Sequence, residues 1–200
     1  NCDREIAIRL AHILIDNGIS EARNQDLAED LFYETLHRLG FDMWTGMTKS
    51  CFTHESLNDW VIKVGFTGLS KDYARTEYEN YRDAVNCNLD WYFPFTEFLC
   101  EIDGVEFFIQ QMAECCEETV TSDWYDSIQA LYEESGRDLD EIDIWAEVYE
   151  LEDDDKIDLM FNDMALTSFL RKHRIGDFHE GNFGFIGDRT VIIDFSGYEH

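Results

Sequence analysis

The run Asp177-Phe-His-Glu-Gly-Asn182, followed by the strand Val191-Ile-Ile-Asp194-Phe, decides how this 200-residue chain is read. Asp177 and Asn182 stand five apart in a loop that ends a helix and opens a hairpin, and Asp194 closes the returning strand. Three oxygen-bearing side chains can converge in that order. Mg²⁺ takes a few carboxylate or amide oxygens together with substrate phosphates, and Gly181 permits a tight bend between the first two donors. Phosphate chemistry is the natural use of such a set. Asp177 is placed to accept the proton of an attacking hydroxyl and orient it, while Asn182 and Asp194 hold the metal that bridges the phosphates. The bland alternative is two turn aspartates and a capping asparagine, residue types that dominate turns in any case.

Upstream, Trp60-Val-Ile-Lys63-Val-Gly-Phe66 reads as a buried strand with one lysine inside it. A lysine in an apolar strand requires an anionic partner to offset its desolvation. Residues 71–88 have helical period and offer Glu77 and Glu79. At 100° per residue Ala74, Tyr78, Tyr81 and Val85 share an apolar face; Glu77 falls at its edge and Glu79 roughly opposite, so Glu77 is the expected partner. Glu97–Gln111 follows as a hairpin turning at Asp103-Gly104.

The D-x-H-x-G-N loop and the strand ending in I-D-F resemble the catalytic and metal loops of the protein-kinase-like superfamily, and Trp60-Val-Ile-Lys63 resembles its V-A-I-K strand. His179 gives the loop the flavour of aminoglycoside phosphotransferases, choline kinases and short phage-encoded serine/threonine kinases. The resemblance spans residues 42–197 and implies a compact two-lobed α+β fold, with a β-rich N-lobe and a truncated helical C-lobe. It implies ATP and Mg²⁺ as cofactors, Lys63 reaching the nucleotide phosphates, and Glu77 holding Lys63. A phosphate-covering loop is expected at 45–52, where Gly46, Thr48, Lys49 and Ser50 supply donors, and Met112 to Glu114 are expected to meet the adenine edge. The sequence departs from the pattern in three places. Ile175 stands where a histidine is usual, Gly46 alone remains of a G-x-G-x-x-G loop, and an extra residue separates Phe195 from Gly197. His179 is expected to pin the loop to the core.

The rest of the chain frames these motifs. Helices are expected over 5–16, with Ile6, Leu10, Ile13 and Leu14 inward, and from a cap at Ser20 to a stop at Gly40, with Leu27, Leu31, Phe32, Leu36 and Leu39 as the stripe. Three more fit 124–173, and short strands are expected at 182–186 and 190–195. The expected division is a helical appendage (1–40), an N-lobe (41–114) and a minimal C-lobe (115–200), with a segment preceding Asn1 left open. A net charge of -29 makes nucleic acid or an anionic membrane an unfavourable partner and a basic protein a favourable one. Six cysteines without CxxC or Cys/His metal spacing read as reduced thiols, Cys115 and Cys116 included, and no segment has the length of a membrane span. A cytoplasmic location is expected, the host's if the chain is phage-encoded. The leading functional expectation is an ATP-dependent phosphotransferase acting on protein serine or threonine. The alternatives are a weak or inactive kinase-like acidic protein that blocks a basic or nucleic-acid-binding partner, and a small-molecule kinase.

Overall fold

In the computed structural model, residues 4–22, 31–115, 164–176, 182–187 and 189–197 are described. They divide into two units, one within Asn1–Arg82 and Phe95–Met112, the other within Asp83–Pro94 and Ala113–His200. The chain is mixed α+β with its sheet-rich part towards the N-terminus.

The first unit begins with helix α1 (Arg4–Asp16) and the short helix α2 (Ile19–Ala22), then α3 (Leu31–Arg38). Gly18 and Gly40 both take positive φ, and the Gly40 N–H bonds the His37 carbonyl as α3 ends, in accord with the expected stop. Ser20 sits inside α2 rather than capping a helix, which corrects the expected cap. Leu36 is buried but Leu39 is exposed, so the apolar stripe ends one turn early.

Strands β1 (Phe41–Thr45), β2 (Lys49–His54) and β3 (Trp60–Gly65) form a meander; α4 (Tyr73–Asn86) follows, then β4 (Thr96–Ile102) and β5 (Val105–Gln111). The sheet order is β1-β2-β3-β5-β4 with every neighbouring pair antiparallel. Asp103 and Gly104 both adopt left-handed φ, the backbone that a two-residue hairpin turn requires.

Register assigns the two faces of this sheet. Phe52, Ile62 and Ile109 align across three strands on one face, whereas Cys51, Lys63 and Phe108 align on the other. The first face packs on α1: Ala7, Leu10, Ala11 and Leu14, at helical spacing, form one buried core with Phe52, Ile62, Val64, Phe107 and Ile109. Residues of the expected appendage therefore supply core to this sheet.

The second face meets α4. Asp72 caps that helix, its Oδ1 accepting the Arg75 N–H at 3.0 Å. Gly65 makes this possible, because a Cβ there would lie 2.1 Å from Asp72 Oδ1. The end of β3 and the start of α4 are thus held together, with Tyr78 against Phe108 at 5.6 Å and Arg75 bidentate on Glu106 of β5.

In the second unit β6 (Glu114–Cys115), β7 (Phe183–Ile186) and β8 (Arg189–Ile192) form an antiparallel sheet in that order. The terminal hairpin stands where expected, although its return strand ends at Ile192 rather than running on to Phe195. Helix α5 (Met164–Lys172) accounts for the last of the helices expected over 124–173; the others, Cys116 and the acidic stretch 147–155 lie outside the described residues. A chain of rings runs from Phe195 to Phe93 (4.8 Å), Phe169 (5.6 Å) and His173 (4.3 Å). No helix among the described residues is long and apolar enough to cross a membrane.

Candidate functional site

Lys63, central in β3, is buried, and its Nζ lies 2.5 Å from Glu77 Oε1. The expected pair is therefore formed. Glu77 is not at the edge of the α4 face but at its centre: Ala74, Glu77, Tyr81 and Ala84 make the buried stripe, Asn80 joins it, and Val85 is exposed. Glu79 is solvent-facing and 3.8 Å from Arg75.

Two further groups complete the carboxylate's surroundings. Gln110 of β5 donates through Nε2 to Glu77 Oε1 at 2.6 Å and to Thr96 Oγ1 at 3.0 Å. Lys49, the first residue of β2, brings Nζ to 2.8 Å from Glu77 Oε2. That oxygen has no aligned hydrogen bond, so the ammonium acts on it as a nearby charge. All five side chains are buried. One carboxylate is thus shared between two ammonium groups, with an amide on one of its oxygens.

Sequence reasoning missed Gln110 and Thr96. A signal existed: Gln110 interrupts the apolar run Phe107-Phe108-Ile109 just as Lys63 interrupts its strand, and a buried amide also needs partners.

The expected phosphate-covering loop is much reduced. Residues 46–48 make a tight turn between β1 and β2, closed by the Gly46 N–H on the Lys49 carbonyl at 3.1 Å. Lys49 is consequently a buried strand residue rather than a loop amine, and Thr48 is also buried, its carbonyl taken by the Phe66 N–H. Ser50 alternates to the sheet face away from Lys63, with its Oγ 3.4 Å from Thr45 Oγ1. Gly46 has room for a Cβ, the nearest atom being 3.8 Å away. At Met112, the N–H already bonds the Asp59 carbonyl at 2.7 Å, which withdraws that amide from the expected adenine contact.

In the second unit the β7–β8 hairpin gathers the expected metal residues. Phe183 pairs with Ile192, and the Asn182 carbonyl accepts the Ile193 N–H at 2.9 Å, so Asn182 and Asp194 emerge at the same end of the hairpin. Asn182 is buried; Asp194 is half-buried and accepts from Ser196 Oγ at 3.1 Å. Among the described residues no three His, Cys, Asp or Glu side chains cluster as a self-sufficient metal site. An amide and a carboxylate oxygen are ligand types that suit Mg²⁺, which is usually held by one or two protein oxygens with phosphates and water completing the shell.

Asp177, His179 and Gly181 lie outside the described residues, but the approach to them is defined. Helix α5 ends with Arg174 in the left-handed region and the Ile175 N–H on the Leu170 carbonyl at 2.9 Å. Ile175, at the position where a histidine is usual, is buried. Gly197 has φ +67, and a Cβ there would lie 2.2 Å from the His173 carbonyl oxygen and 3.1 Å from that of Arg174. The segment after Asp194 therefore lies directly on the segment that leads into Asp177.

His173 sits beside this contact. Burial pushes its imidazole below the ordinary value, Lys172 pushes the same way, and Asp83 opposes them. Its Nε2 is 3.5 Å from Asp83 Oδ2, without a hydrogen bond.

No protein-family model matches this chain, and no curated protein matches it. Among solved structures it is similar to the ternary complex of streptomycin, ATP and APH(2″)-IIa, at 20% identity over 82% of this chain and 70% of that one, with a TM-score of 0.38. Likeness at that level carries no argument about the site.

Proposed function

We propose that this protein is an ATP- and Mg²⁺-dependent phosphotransferase of the protein-kinase-like type. The observation that carries the proposal is the buried Lys63–Glu77 pair, which joins the third strand of an antiparallel sheet to the helix that follows it. Burying a lysine is costly, and a lysine–glutamate pair between these two elements is the device that aligns nucleotide phosphates in kinases.

The roles divide among named residues. Lys63 presents its ammonium to the phosphates, and Glu77, fixed by Gln110, holds that ammonium in place. Asn182 and Asp194 would hold Mg²⁺, which when bound neutralises phosphate charge. Asp177 orients the acceptor hydroxyl and accepts its proton. The acceptor class we favour is a serine or threonine hydroxyl of a protein, because the net charge of -29 favours basic polypeptide surfaces.

The test is transfer or release of phosphate from ATP by the wild type and by Asp177→Asn and Lys63→Ala. Both substitutions are expected to lower the rate by at least tenfold. Equal rates in all three proteins would remove the mechanism.

The same charge supports a second proposal, a kinase-like acidic protein that binds and blocks a basic or nucleic-acid-binding partner without phosphoryl transfer. In that case complex formation is salt-sensitive and survives Asp177→Asn and Asp194→Asn. Loss of partner binding in Asp194→Asn would count against it.

A further inference from the structure

We infer that Lys49 is a positioning residue that neutralises Glu77, so that Lys63, while still paired with the carboxylate, keeps an uncancelled positive charge for nucleotide phosphate; the inference rests on the phosphotransferase reading above. Glu77 is fully buried, and its described partners are Lys63 and Gln110 on Oε1 and Lys49 on Oε2. With only one ammonium beside it, a buried carboxylate would cancel that ammonium's charge and leave the pair no net attraction for phosphate. Lys63 would then meet phosphate as half of a neutral pair.

The second ammonium changes this balance. Lys63 can keep Oε1 and meet phosphate with its remaining N–H groups while Lys49 compensates Oε2, so two ammonium groups and one carboxylate leave one net positive charge. Placement supports that division of labour. Lys49 pairs with Gly65 and Cys51 pairs with Lys63, so the two lysines share one sheet face on neighbouring strands and approach different oxygens of the same group. Lys49 also starts β2 directly after the 46–48 turn, where the Gly46 N–H on its own carbonyl and the Phe66 N–H on the Thr48 carbonyl fix its backbone. It is held in place by the sheet rather than by a loop.

The test measures Mg-ATP affinity by titration calorimetry for the wild type, Lys49→Met, Lys49→Arg and Lys49→Met/Glu77→Gln. Lys49→Met should weaken binding at least tenfold, and Lys49→Arg, which keeps the charge, should stay within about threefold of wild type. The decisive protein is the double variant: with no carboxylate left to compensate, Lys63 again offers an uncancelled positive charge and affinity should return to within about threefold of wild type. A merely structural lysine would not show that recovery. A double variant as weak as Lys49→Met would mean that Lys49 contacts phosphate itself, and would overturn the inference, as would unchanged affinity in Lys49→Met. If Lys49→Met does not fold, Lys49→Gln takes its place in both single and double variants, with the same expected outcomes. Absence of Mg-ATP binding by the wild type is a separate result: it removes the nucleotide reading and the inference together.

Discussion

At the scale of single residues, Glu77 carries more of the structure than either lysine that it binds. Lys63→Met leaves a neutral pair of Lys49 and Glu77, and Lys49→Met leaves Lys63 and Glu77. Glu77→Gln instead leaves two ammonium groups buried beside an amide. Breaking a buried ion pair costs about 3–5 kcal/mol. Urea unfolding should therefore show a loss of that size for Glu77→Gln and a clearly smaller one for each lysine variant; similar losses in all three would mean that the carboxylate is not shared. His173 gives a prediction with a sign. Its folded-state imidazole is held below its ordinary value of 6.5, so between the two values the unfolded chain binds more protons and stability rises with pH. The contribution is fully present above about pH 6.5 and is lost as pH falls through the folded value. The difference in melting temperature between wild type and His173→Gln should shrink as pH falls from 7.5 to 5.5, and a constant difference would show that His173 does not titrate abnormally.

At the scale of elements, Gly197 links the two segments on which the candidate chemistry depends. Alanine there would have to adopt φ +67 and place its Cβ 2.2 Å from the His173 carbonyl oxygen. Backbone must shift, at a cost of about 1–3 kcal/mol typical of overpacking. Gly197→Ala should lower the urea midpoint accordingly, and an unchanged midpoint would contradict this contact. Several elements were legible in the sequence because their signals are local. β3 shows as a β-branched run, and the Asp103-Gly104 turn announces the β4–β5 hairpin. Helical projection selects Glu77 but sets it at the edge of its face, because the projection follows Val85 and overlooks Ala84 and Asn80, which are the residues buried. The resemblance places Lys49 in a phosphate-covering loop because it lies just ahead of the lysine strand. Its burial follows from the β2–β3 register, which is a non-local property of the sheet. The same applies to α1, whose amphipathic stripe is visible in the sequence but whose partner sheet is not.

At the scale of the whole molecule, 44 acidic residues against 15 basic ones dominate the long-range electrostatics. Self-repulsion of that excess is screened by salt, with a Debye length of about 30 Å at 0.01 M and about 10 Å at 0.1 M. The melting temperature should rise with NaCl over that range, and a fall would show that attractive ion pairs outweigh net repulsion. The same charge makes a bound divalent cation favourable, and so ties stability to the proposed function. Nucleotide phosphates would add negative charge to an already acidic protein unless a bound divalent cation and nearby ammonium groups offset it. Thermal melting with Mg-ATP, with ATP in EDTA and with Mg²⁺ alone therefore tests for a working nucleotide site. A ligand at 100 times its dissociation constant stabilises the folded state by about 2.7 kcal/mol. A rise of several degrees with Mg-ATP that exceeds both controls and is lost in Asp194→Asn is expected; the same melting temperature with and without Mg-ATP would rule out such a site.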